Sequence, residues 1–171
     1  MKYTTVLQGE SKVTNDPEVV FTTVLGSCVA VCLHDAQAKV GGMNHFLLPG
    51  CKGQDSKDMR YGVHSMELLI NELLKHGASR HSLLAQLYGG ASVIKNRSNI
   101  GASNVNFATD FLRNESIKCL DRNVGGKLAR RVKFHAATGR VKHVLVEDAV
   151  SLRPPAPDPR VPTRFADVTL F

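Results

Sequence analysis

No apolar run in the 171 residues approaches the roughly 20 needed to span a bilayer, and the opening MKYTTVLQGESKV carries no apolar segment of the signal-peptide kind. Membrane insertion is thereby set aside, and a soluble, cytoplasmic protein is the expectation. Cysteine is sparse: four residues, at 28, 32, 51 and 119, with no CxxC pair among them. That excludes the paired-cysteine redox and zinc signatures, and in a reducing compartment free thiols are expected rather than a disulfide framework. Internal repeats are absent. The GGK at 125–127 lacks both the earlier glycine and the following Ser or Thr of a phosphate-binding loop. The basic segment KLARRVKFHAATGRVKH has few aromatics to stack on bases and no recognition motif, so a solvated strand face is expected there and no nucleic-acid partner.

What is present suits one globular domain with a proper core, at 43% hydrophobic residues. The net charge of +7 is uneven: residues 1–120 hold 12 Lys and Arg against 10 Asp and Glu, and residues 121–171 hold 10 against 5. An acidic partner is permitted by this balance but not identified by it. Strand patterns fall near 3–8, 19–24, 29–34, 40–47, 83–88, 131–136 and 141–147, separated by Gly, Asn and Asp. Two helices interrupt them. In DMRYGVHSMELLINELLKHG, Met66, Leu69, Ile70, Leu73 and Leu74 recur at steps of three and four, with Asp58 near the start and Gly77 as a stop. In SNVNFATDFLRNE a Ser103 cap would place Val105, Ala108, Phe111 and Leu112 on one face. The class is therefore α+β, a layered sandwich of mixed or antiparallel sheet with covering helices, over residues 1–150. Residues 151–171 hold five of the seven prolines and are expected to form an extended tail.

The stretch LGSCVAVCLHDAQAKVGGMNHFLLP combines two cysteines and two histidines on what reads as an antiparallel hairpin. Symmetry about residues 36 and 37 would set Leu33 opposite Val40 and Cys28 opposite His45, close enough for thiol and imidazole to meet. Cys28 follows the Gly26-Ser27 turn at the mouth of its strand, where backbone amides are free to face a ligand. Hydrolysis of an amide needs a strong nucleophile, a base that later returns the proton to the leaving ammonia, and donors for the oxyanion. An imidazolium beside the thiol would lower its pKa from the free value of about 8.5. Thr22, Thr23 and Ser27 are the nearby candidates to orient the histidine. A zinc site is the competing use of Cys28, Cys32, His45 and Cys51, but four residues of strand separate the first two sulfurs by about 13 Å, too far to share one ion. Cys32 is then a buried structural thiol, and no metal or other cofactor is expected.

The run LGSCVAVCLHD followed by VGGMNHFLLP resembles the opening of the CheD family of chemoreceptor glutamine deamidases. The likeness continues in order through RYGVHSMELLINELLKHGA, LLAQLYGGA, NIGASN and VGGKLARRVKFHAATGRV, over residues 5–146. By that resemblance the nucleophile falls on Cys28, the general base on His45 and the third polar residue on Thr22, six positions before the cysteine. Thr23 is its competitor. The family implies a layered α+β fold similar to toxin-type cysteine deamidases. It also implies conversion of glutamines on receptor cytoplasmic domains to glutamate through a thioester, with ammonia released. A CheC-type phosphatase is a further implied partner. Gln86 stands where the resemblance leads one to expect a lysine, and the proline-rich tail has no counterpart in it. The glycine pairs at 41–42 and 89–90 read as places of close backbone approach, and His64, His76 and His81 as surface or capping residues.

Overall fold

The computed structural model describes residues 1–48, 56–93 and 98–147. Cys51 and the proline-rich tail lie outside them, as does the Asp58 side chain. Among these residues nine strands and two α-helices follow in order, with a 3-10 turn at Arg80–Ser82 before β6: β1 (Lys2–Thr5), β2 (Ser11–Thr14), β3 (Val19–Leu25), β4 (Val29–Asp35), β5 (Val40–Asn44), α1 (Ser56–Lys75), β6 (Leu84–Gly89), α2 (Ser98–Asn114), β7 (Lys118–Val124), β8 (Ala129–His135) and β9 (Arg140–Val146). They form two mixed sheets, ordered β1-β3-β8-β9 and β2-β5-β4-β6-β7.

Three layers result, and β4 explains why. Every residue of VAVCLHD is buried. The odd members Val29, Val31 and Leu33 join a core with Met66, Leu69, Ile70 and Leu73 of α1 and Ala108, Phe111 and Leu112 of α2. The even members Ala30 and Cys32 join a second core with Phe21, Leu25, Val132 and Phe134 of the other sheet. Alternation along a strand sends successive side chains to opposite faces, so a strand covered on both sides must be apolar throughout. The molecule is an α+β sandwich of sheet on sheet on helices. Both helices present the apolar faces expected of them, but α2 begins at Ser98, so Ser103 lies inside the helix rather than at its cap. The sequence reading missed β2 and β7, both polar edge strands with no buried residue.

The hairpin register differs from the expected one. Asp35 pairs Val40, Leu33 pairs Gly42 and Cys32 pairs Met43, not Gly41, so the turn is centred between Gln37 and Ala38. The Asp35 carboxylate sets that centre: its Oδ1 accepts from Gln37 N–H at 2.9 Å and Ala38 N–H at 3.1 Å. The bridge Val29↔Phe46 continues the same register. His45 is therefore diagonal to Cys28 instead of opposite, a separation of about 7–8 Å in a regular ladder. A shift of two leaves both on the same face, toward the second sheet.

Candidate active site

On β3, Phe21, Thr23 and Leu25 are buried and face the five-stranded sheet, while Thr22 lies on the opposite side of the strand. Thr23 thus enters the gap between the sheets at the level of His45, the first residue past β5. The His45 main chain is held on both sides by the loop from β1 to β2: Gly9 N–H donates to His45 O at 2.7 Å, and His45 N–H donates to Glu10 O at 3.0 Å. Its ring Nδ1 is 2.9 Å from Thr23 Oγ1 and 3.2 Å from Val6 O. The Thr23 hydroxyl donates its hydrogen to Val6 O at 2.8 Å. With that hydrogen committed, the Thr23 oxygen is left to accept, so Nδ1 carries the ring proton and Nε2 presents a lone pair. Nε2 is buried and has no hydrogen-bond partner among the described residues.

Electrostatics favour this neutral imidazole. Burial lowers the His45 pKa below the ordinary 6.5, against the opposing pull of the Val6 carbonyl and the Glu10 carboxylate. Burial likewise raises the Cys28 thiol above the ordinary 9.0, partly offset by the residue's own backbone N–H. Both shifts favour the uncharged forms, a thiol and an imidazole, over the thiolate and imidazolium expected from the sequence, because burial disfavours charge on either group. The Cys28 sulfur donates to Gln8 Oε1 at 3.4 Å, and Gln8 rather than His45 is its hydrogen-bond partner.

The turn before Cys28 is held by the Gly89-Gly90 pair, a place of close backbone approach as expected, and by Asn104, a residue not singled out from the sequence. Gly90 N–H donates to Cys28 O at 2.7 Å and Ala91 N–H to Gly26 O at 2.8 Å. Gly89, at φ 111°, lies so close that a Cβ there would collide with Cys28 O. Asn104, wholly buried on α2, donates from Nδ2 to Ser27 O at 2.8 Å and accepts at Oδ1 from Leu48 N–H at 3.0 Å. It ties the turn before Cys28 to the segment after His45. Its position in the apolar stripe of α2 was the available signal: a polar residue on a buried face must be hydrogen-bonded. Gln8 had no comparable signal, since it lies on an exposed loop.

Of the residues anticipated from sequence, the structure places Cys28 and His45 at one end of the gap between sheets. The hydroxyl at the imidazole is that of Thr23, not Thr22, because only the odd positions of β3 point inward. Cys32 is buried in the core between the sheets, paired with Met43. His64, His76 and His81 are exposed on or beside α1. Among the described residues no cluster of three His, Cys, Asp or Glu side chains could hold a metal ion.

The sequence as a whole matches a known group. Residues 47–144 match the family described as CheD chemotactic sensory transduction, and the chain belongs to that family. Two relatives make the match particular. A protein of Ruegeria sp. (strain TM1040) named "Probable chemoreceptor glutamine deamidase CheD 1" is 49% identical over 98% of this chain and 94% of its own length. A "Probable chemoreceptor glutamine deamidase CheD" of Caulobacter vibrioides (strain NA1000 / CB15N) is 51% identical over 97% of this chain and 91% of its own. Among solved structures, a Bacillus licheniformis hypothetical protein, YfiH, superposes with a TM-score of 0.45 at 11% identity, over 66% of this chain and 49% of that one. No helix among the described residues is long and apolar enough to cross a membrane.

Proposed function

We propose that this chain is a protein-glutamine deamidase acting on the cytoplasmic segments of chemoreceptors, with Cys28 as nucleophile, His45 as general base and Thr23 as the residue that holds the imidazole. The observation that carries the reading is the His45 Nε2: a buried, unpartnered lone pair on a ring whose other nitrogen is fixed by Thr23 and Val6. A base held this way is ready to take a proton from a thiol that turns toward it.

The steps follow from the two neutral groups. Cys28 gives its proton to His45 Nε2 as the sulfur attacks the substrate carboxamide carbon, forming a tetrahedral oxyanion. His45 then returns the proton to the amide nitrogen, the carbon–nitrogen bond breaks, and ammonia leaves a thioester on Cys28. Water, deprotonated by His45, attacks the thioester; the carbon–sulfur bond breaks, and the sulfur regains a proton. Glutamine has become glutamate, one neutral side chain turned anionic on a helical receptor surface. Thr23 adds no charge, so it positions the ring without driving the chemistry. Ammonia release from a receptor cytoplasmic fragment tests the assignment: Cys28→Ala and His45→Ala are expected to abolish it with the fold intact, and folded variants that keep wild-type turnover would refute it.

A further inference from the structure

One side chain in the loop from β1 to β2 touches the nucleophile and has no part in the steps above. Gln8 Oε1 accepts from the Cys28 thiol at 3.4 Å. Building on the cysteine deamidase reading, we propose that Gln8 is a catalytic residue whose side-chain amide, together with the Cys28 N–H, donates to the oxyanion of the tetrahedral intermediate.

Position is the first argument. The oxyanion forms on the carbon newly bonded to Sγ, so its donors must sit beside the sulfur, about 2.7–3.1 Å from where that oxygen will lie. An amide already in contact with Sγ meets this condition. The Cys28 N–H, on the residue that carries the sulfur, is the second donor at this place. The Gln8 and Cys28 donors come from different loops, the usual composition of an oxyanion hole.

Chemistry is the second argument. A carboxamide carries an acceptor and a pair of donors on one carbon, and its terminal torsion is roughly two-fold. In the resting site the thiol hydrogen points at Oε1. Once that proton has moved to His45 Nε2, the contact loses its hydrogen, and a half-turn of the amide presents Nε2–H to the negative charge that appears.

Anchoring is the third. The loop is closed by Leu7 N–H on Glu10 Oε2 at 2.9 Å and by Glu10 N–H on Leu7 O at 2.9 Å. Gly9 turns it at φ 87°, and the flanking Gly9 and Glu10 bond to the main chain of His45. The same few residues therefore fix both the base and the main chain that carries Gln8.

Gln8→Ala and Gln8→Glu in the full chain test the proposal. The side chain is exposed, so thermal unfolding should match wild type. For ammonia release from a purified chemoreceptor cytoplasmic fragment, kcat of Gln8→Ala should fall on the order of 10²-fold with KM little changed. Gln8→Glu, which replaces donors with negative charge, should fall further. Alkylation of Cys28 by iodoacetamide attacks a saturated carbon and forms no oxyanion, so its rate should not fall in Gln8→Ala. Unchanged kcat in Gln8→Ala would overturn the proposal. So would a rise in kcat, which would make Gln8 a competitor for the substrate's place, or a parallel fall in turnover and alkylation, which would make it a support for the thiol. Wild-type protein that releases no ammonia would instead overturn the deamidase reading itself, and the oxyanion hole with it.

Discussion

In the proposed mechanism one hydroxyl decides which nitrogen of His45 acts as the base. Thr23 donates to Val6 O and so has its oxygen free for Nδ1–H. Removing it leaves Val6 O on the same nitrogen, so Thr23→Ala should lower kcat about tenfold rather than abolish turnover, while Thr22→Ala should be near wild type. Loss in Thr22→Ala with activity kept in Thr23→Ala would show that the family spacing, not the hydrogen bond, names the right threonine. The two burial-driven shifts also set a pH profile. His45 must be neutral to accept a proton, and its pKa lies below 6.5, so the acid limb of kcat/KM should fall below that value. Burial raises the thiol pKa above its ordinary value, so iodoacetamide should react with Cys28 at a rate that keeps rising through the alkaline range. An alkylation limb on the acid side of neutrality would reveal a thiolate–imidazolium pair.

At the scale of elements, α2 does more than cover the sheet. Asn104→Ala would strip partners from the Ser27 carbonyl and the buried Leu48 N–H, and should cost about 2–3 kcal/mol in thermal or denaturant unfolding and lower kcat by loosening the turn before Cys28. A variant of unchanged stability and activity would remove Asn104 from the site. The hairpin that joins Cys28 to His45 was legible in sequence as two strands and a short turn, because its apolar runs and the break at residues 35–39 are strong local signals. Its register was not, because the turn centre depends on which amides the Asp35 carboxylate collects. That carboxylate also accepts from Ser79 N–H at 2.9 Å and Ser82 Oγ at 2.5 Å, contacts formed by a distant part of the chain. Burial alone would raise its pKa, but these bonds outweigh it and hold it at about 2. That the hydroxyl beside the imidazole belongs to Thr23 was not legible for a related reason: spacing along one strand does not say which face meets a second sheet. The strands β2 and β7 escaped because edge strands need no apolar side chains.

For the whole molecule, the sandwich places the site at an end of the gap between sheets, where a buried imidazole and a half-buried thiol lie close to an exposed loop. The buried hydrophobic core among the described residues ends at Ala136 in sequence, and β9 closes the sheet at Val146. We propose that residues 151–171 are dispensable for chemistry, so a chain ending at residue 150 should fold with unchanged thermal stability and keep its turnover. A truncated protein that folds but fails on a receptor fragment would assign the tail to substrate recognition. The central claim is that Cys28 converts receptor glutamines to glutamates, and peptide mass spectrometry of a chemoreceptor cytoplasmic fragment, before and after incubation, tests it most directly. Wild-type protein should produce amide-to-acid mass gains at particular glutamines, and Cys28→Ala protein none. An unmodified fragment with wild-type protein, or equal conversion by the Cys28→Ala variant, would contradict the account.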